Sequence, residues 1–326
     1  MQDTYQRNIN YLRISVTDKC NLRCVYCMPE GGIEQVRHEE ILSLEEIARV
    51  VESAVIAGIR KVRFTGGEPL VRKGMTELIG MVNKIPEIDD IALTTNGILL
   101  PRLAAGLRKA GLKRVNISLD TLFPEKFAQI TRGGRLSDVW RGIEAARDAG
   151  FDPVKINTVI IRGFNSDEIQ DFVELTRKIP LHVRFIELMP IGASSSMAQD
   201  GYISTDELIK SISAKHVIVP EKEVAGGGPA KYYKIPGAPG TIGFISPISN
   251  HFCAGCNRLR LTAEGRLRPC LQSPKEIDLK TPLREGASLQ ELADIIKLAV
   301  ESKPEKHDLT KTGWVGNKRV MTQIGG

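Results

Sequence analysis

Six short β-rich runs, at residues 11–16, 60–65, 90–95, 114–119, 153–161 and 181–188, alternate with amphipathic, helix-like stretches. No other feature constrains the fold as strongly. Parallel strands need long crossovers, usually helices, so six such units in series predict a parallel sheet with helices outside it. Ser43-Leu44-Glu45-Glu46, Asn165-Ser166-Asp167-Glu168 and Ser204-Thr205-Asp206-Glu207 read as helix starts. Helices near 99–110 and 138–149 are predicted to stop at Gly111 and Gly150. The pattern by itself allows a doubly wound sheet or an open barrel. Past residue 200 the rhythm changes, with heavy glycine and proline punctuation at 226–229 and 236–240. Short strands at 231–235, 241–246 and 258–262 and a helix at 288–302 follow. The expected division is residues 1–215 and 216–326, because 326 residues exceed one ordinary barrel.

All six cysteines fall into two triplets. Cys20, Cys24 and Cys27 follow the first strand with spacing Cys-x3-Cys-x2-Cys, and Cys253, Cys256 and Cys270 form Cys-x2-Cys-x13-Cys. A [4Fe–4S] cluster usually takes four cysteines, so three leave one iron open to another ligand. Structural zinc prefers four ligands, and the first triplet has no fourth one nearby. At the second, His251 stands two residues before Cys253 and could complete a Cys3His zinc site, so zinc stays open there. The polar first residues and the lack of any apolar run of membrane-spanning length predict a reduced, cytoplasmic protein with no membrane contact.

In parallel α/β proteins, active groups gather at the carboxyl ends of strands. Those ends carry the cysteine loop, Thr65-Gly66-Gly67-Glu68-Pro69, Thr94-Thr95-Asn96-Gly97 and Asn116-Ile117-Ser118-Leu119-Asp120. The fifth strand adds Lys155, and the sixth adds Arg184, Glu187 and Met189. Polar groups at every end indicate a site rather than a closed core. With Tyr26 between its last two cysteines, the first triplet resembles the signature of the radical S-adenosylmethionine (SAM) superfamily. Gly66-Gly67-Glu68-Pro69 resembles that superfamily's methionine-holding motif. This resemblance favours an incomplete (β/α)6 barrel with a C-terminal extension.

Over essentially its whole length the chain is similar to the GTP 3′,8-cyclases of molybdenum cofactor biosynthesis. The likeness rests on residues 12–20, 62–69, 93–97, 184–192 and 253–262, and on the terminal Gly325-Gly326. It implies that Cys20, Cys24 and Cys27 hold the SAM-cleaving [4Fe–4S] cluster and that Tyr26, Gly67, Ser118 and Met189 contact SAM. It implies GTP contacts from Arg13, Arg63, Thr94, Lys155, Arg258, Leu259 and Arg260. It implies a second [4Fe–4S] cluster on Cys253, Cys256 and Cys270, meeting the guanine base. It gives catalytic roles to Arg13, Gly325 and Gly326. The implied reaction closes a bond between ribose C3′ and guanine C8. The resemblance also suggests a homodimer, an external electron donor and a downstream cyclic pyranopterin monophosphate synthase. Glu187 receives no role.

Two other classes share some of these features. Radical SAM enzymes that act on peptides carry extra clusters, usually with more C-terminal cysteines than the three found here. A zinc-stabilised or RNA-binding protein fits the net charge of +6, but aromatic residues make up only 5% of the chain. Base-stacking surfaces need aromatics, so nucleic acid is not an expected partner.

Overall fold

The computed structural model describes residues 1–34, 36–222, 224, 226–307, 309 and 319–325. Six parallel strands form its centre: β1 (Tyr11–Ser15), β2 (Lys61–Thr65), β3 (Asp90–Thr95), β4 (Arg114–Ser118), β5 (Val154–Ile160) and β6 (His182–Glu187). The crossovers contain α1 (Leu44–Ile56), α2 (Met75–Asn83), α3 (Leu100–Lys109), α4 (Pro124–Thr131), α5 (Leu136–Asp148) and α6 (Ile169–Lys178). Then come α7 (Ser195–Gly201), α8 (Thr205–Ser213), β7 (Val219–Glu221), β8 (Lys231–Lys234) and β9 (Thr241–Ile245). The chain continues through β10 (Arg258–Leu261), β11 (Arg266–Arg268), β12 (Ile277–Asp278), α9 (Lys280–Arg284), α10 (Leu289–Glu301) and α11 (Met321–Ile324).

The C-terminal strands extend both edges of the predicted sheet. β10 pairs parallel with β1, and β9 pairs parallel with β6, giving the order β12-β11-β10-β1-β2-β3-β4-β5-β6-β9-β8-β7. Side chains alternate across strands, which sorts this sheet into two faces. Leu12, Ile14, Val62, Phe64, Leu93, Val115, Ile117, Ile156, Val183, Phe185, Leu259 and Leu261 are buried in one apolar core with the helices. The opposite positions are Tyr11, Arg13, Arg63, Thr94, Asn116, Asn157, Arg184, Arg258 and Arg260. They line a cavity that takes residues from both halves of the sheet. The sheet therefore curls around its polar face.

The helix starts at Ser43 and Ser204 are capping boxes, with Glu46 and Glu207 reaching back to the cap. Gly111 and Gly150 follow α3 and α5 with φ of +112° and +74°. The third start also opens a helix, through a short 3-10 turn at Ser166–Glu168 that runs into α6, but Asn165 makes no cap bond. Asn165 is buried and spans a loop instead, donating to the carbonyls of Asp120 (2.6 Å) and Val159 (2.9 Å). Glu168 accepts from Thr121 and from the amide of Leu122. Loop tethering consumed both side chains that local spacing assigned to a cap.

One close approach fixes the third strand-end turn. A Cβ on Gly142 of α5 would stand 2.1 Å from the carbonyl oxygen of Gly97. On α3, Gly106 is exposed and would meet nothing nearer than 3.9 Å. Gly142→Ala is therefore expected to destabilise by about 1–3 kcal/mol, the scale of overpacking. Gly106→Ala is expected to stabilise by about 0.5–1 kcal/mol through helix propensity. Denaturant unfolding of the two variants checks the opposite signs.

Candidate active site

The two cysteine triplets flank the polar face. The first lies in the loop after β1, all three thiols half-buried. That loop is held by the turn after β2: the amides of Gly67 and Glu68 donate to the carbonyls of Thr17 (2.7 Å) and Lys19 (2.8 Å). A Cβ on Gly67 would meet the Lys19 carbonyl at 2.4 Å, so two backbones pack here where only glycine fits. Buried Glu68 accepts from the amides of Leu70 and Asn96 and from Thr95, which ties the second strand end to the third. Its burial pushes the carboxyl up to about 7. Tyr26 donates to Asp120 at 2.6 Å, joining the cysteine loop to the end of β4.

The thiols of the two triplets sit in opposite electrostatic settings. Burial, with backbone amides opposing and Glu68 assisting, raises Cys20 to about 11. Burial, with Cys20 and Asp120 adding repulsion, raises Cys27 to about 12, and Cys24 is also raised. Three neighbouring thiols that resist ionisation singly are ionised by a cationic centre that binds all three. Burial would raise Cys256 as well, but Arg258 and Lys303 bring it down to about 6. Among the described residues, no three His, Cys, Asp or Glu side chains form a group that could hold a single metal ion. A cluster requires otherwise, since each of its thiolates binds a different iron. His251, the candidate fourth zinc ligand, packs its ring against His307 at 5.5 Å between centroids. The neighbouring thiols of the first triplet fit the ligand set of an iron–sulfur cluster.

The cavity is lined by Arg13, Arg63, Thr94, Met189, Arg258, Arg260 and the second triplet, all singled out by sequence. Arg184, Lys303, Asn116 and Asn157 join them. Among the described residues, no Asp or Glu lines it. Burial and then Arg260 drive Arg13 well below its usual value, and burial and Arg258 bring Arg260 to about 9. Burial brings Arg184 to about 10, so Arg184 and Arg260 keep their charge at neutral pH. Lys155 lies outside the lining but on the same face of the sheet. Burial, then Arg184, Arg114 and Arg63, bring it down to about 6, and its amine stands 5.4 Å over the Tyr232 ring. Crowded buried cations are costly without an anion.

The other expected residues lie elsewhere. Leu259 is fully buried in the apolar core, on the far side of the strand from Arg258 and Arg260. Tyr26, Gly67 and Ser118 stand at the strand ends, outside the cavity lining. Gly325 packs against Ser15 and Thr65, where a Cβ would meet Thr65 at 2.9 Å, and Arg260 donates to its carbonyl. Just before it, the amide of Thr322 bonds to Cys27, and Met321 lines the cavity. Gly326 and residues 311–318 lie outside the described residues.

Some supports had no local sequence signal. Arg7 donates to the carbonyls of Cys253 (3.0 Å), Glu305 (2.8 Å) and Pro304 (2.7 Å) and pairs with Asp3, fastening the second triplet to the N-terminus. Glu187 accepts from the amides of Thr205 (2.9 Å), Ile248 (2.9 Å) and Ser249 (3.0 Å). It thereby anchors the segment that leads to the second triplet. Arg184 was legible, since it shares the inward-facing parity of its strand with His182 and Ile186.

A model described as the radical SAM superfamily matches residues 14–176, and one described as Molybdenum Cofactor Synthesis C matches residues 181–309. SuiB of Streptococcus suis bound to S-adenosylmethionine superposes with a TM-score of 0.58 at 14% identity, covering 92% of this chain and 76% of that one. That likeness shows the fold. A protein of Pelotomaculum thermopropionicum named GTP 3′,8-cyclase is 61% identical, and one of Desulforamulus reducens with the same name is 57% identical. In each case the match covers 100% of both chains. On that identity over the whole of both chains, and with both family models matched, this chain belongs to the GTP 3′,8-cyclase family of radical SAM enzymes.

Proposed function

We propose that the chain cyclises GTP to (8S)-3′,8-cyclo-7,8-dihydroguanosine 5′-triphosphate, with the cavity as the nucleotide site and the first cysteine loop as the SAM site. The observation that carries this reading is the set of buried Arg63, Arg184 and Arg260 and half-buried Arg13 and Arg258 in a cavity that shares its wall with Cys253, Cys256 and Cys270. A triphosphate neutralises such a set, and guanidinium forks suit its oxygens. Lys155 and Thr94 complete the nucleotide side, while the second triplet would hold a cluster beside the base. Tyr26, Gly67, Ser118 and Met189 form the SAM side. Cys20, Cys24 and Cys27 would hold a [4Fe–4S] cluster, which would supply the electron for cleaving SAM to a 5′-deoxyadenosyl radical. The chain's own part is to hold ribose C3′ before that radical and guanine C8 beside C3′. Arg13 and the tail stand at that junction. The partial barrel of residues 1–215 and the region 216–326 each provide one side of the site. No helix among the described residues is long and apolar enough to cross a membrane. A cytoplasmic homodimer served by an external one-electron donor, feeding a cyclic pyranopterin monophosphate synthase, completes the proposal.

Reconstituted without oxygen, the protein is expected to carry about eight irons, the content of two such clusters. With SAM, reductant and GTP it should form the cyclised nucleotide, read by mass spectrometry. Replacing Cys253, Cys256 and Cys270 by Ala should leave about four irons and preserve SAM cleavage but give no product. Bound zinc in place of the second cluster would contradict the assignment.

Lys155 sets a pH dependence. With its amine held near 6, it is mostly neutral at pH 7.5 without a ligand. A polyanion favours the ammonium, so the bound state holds more protons. GTP affinity is then level below about pH 6 and falls as pH rises from there towards the raised bound-state value. At pH 7.5, binding should take up about one proton, seen as a calorimetric enthalpy that changes with the buffer's ionisation heat. Lys155→Met should abolish that uptake.

Gly325 has φ of +80° and no room for a Cβ beside Ser15 and Thr65. Gly325→Ala is expected to displace the tail and lower turnover by at least about tenfold, equivalent to about 1.4 kcal/mol. Iron content should stay unchanged. Wild-type turnover by this variant would show that the tail has no part in the chemistry.

A further inference from the structure

Asn116 stands on β4 level with Thr94 on β3 and Lys155 on β5, and it lines the cavity. Its side chain is 2% exposed, and its Oδ1 is buried without a hydrogen-bond partner. An unpaired buried acceptor is costly, so this oxygen marks where a ligand presents a donor. The surroundings narrow the choice of donor. The cavity's guanidiniums are suited to phosphate oxygens. Those oxygens are themselves acceptors and cannot satisfy a carbonyl. The base, on the reading above, lies towards the second triplet. The donors of a nucleotide between base and phosphates are its ribose hydroxyls.

We infer that Asn116 is a specificity residue that accepts a hydrogen bond from a ribose hydroxyl of GTP and so selects a ribonucleotide over its deoxy forms. The inference rests on the cavity being the GTP site. Asn157 has a similarly unpartnered Oδ1 but pairs in register with Ser118, one step nearer the strand ends and the SAM side. Sequence spacing placed Asn116 at a strand end without a role. Only its burial on the polar face, at the level of Thr94 and Lys155, supplies one.

The test is anaerobic calorimetry of GTP, 2′-deoxy-GTP and 3′-deoxy-GTP on cluster-loaded wild type and Asn116→Ala. Wild type is expected to bind GTP about three- to tenfold more tightly than at least one deoxy analogue, the range of one neutral hydrogen bond. In Asn116→Ala that ratio should fall to near one while SAM affinity holds. If the Ala variant melts early, Asn116→Leu, of similar shape but without the acceptor, gives the same comparison. An unchanged ratio in a folded variant, with wild type still binding GTP, overturns the role of Asn116 alone. A wild type that binds no GTP overturns the reading of the cavity itself.

Discussion

Positive charge held inside a sheet is the constraint around which the rest of this molecule is arranged. Arg63, Arg184 and Arg260 are all nearly inaccessible, with Arg13 half-buried beside them, and among the described residues no carboxylate shares their cavity. Such crowding opposes folding, because each cation loses hydration and repels its neighbours. It survives because the same strands turn their alternate side chains outward into a large apolar core. Burial of that core, worth about 25 cal/mol per Å² of apolar surface, offsets the strain on the inner face. The strain is also an asset: an anion entering the cavity finds its donors already desolvated and oriented, which is the condition for tight electrostatic recognition.

Distant parts of the chain are brought to this face by charged side chains that satisfy backbone groups. Glu68 accepts amides from the turns after two strands, Glu187 collects three amides from two segments, and Arg7 spends its donors on carbonyls beside the second triplet. Each is buried, where a charge-assisted hydrogen bond is strong and a missing partner is costly. These ties explain how irregular loops hold a defined geometry without secondary structure of their own. They also give Glu187, which the sequence left without a role, a part as an anchor.

The two cysteine triplets differ in their surroundings more than in their spacing. Carboxylates and neighbouring thiols surround the first, and basic side chains surround the second. The C-terminal segment lies between them, with Thr322 bonded to Cys27 and the Gly325 carbonyl bonded to Arg260. The tail thus touches both halves of the site at once. Its glycine is explained by the narrow gap beside Ser15 and Thr65.

Much of this was determined by the sequence alone. The two-residue and 3.6-residue periods defined six strands and their outer helices, because alternation and amphipathicity are local properties. The cysteine spacings marked two triplets of candidate metal ligands for the same reason, and Arg13, Arg63 and Lys155 were legible as cations inside strand patterns. Tertiary structure decided what depends on pairing between distant segments. It put β10 beside β1 and β9 beside β6, and it turned Leu259 into the core while its neighbours Arg258 and Arg260 face the cavity. It made Asn165 a loop clamp instead of a helix cap, because buried carbonyls elsewhere in the fold needed its donors. It brought Arg7, Lys303 and Asn116 to the site, since burial and register are set by neighbours that no local window contains.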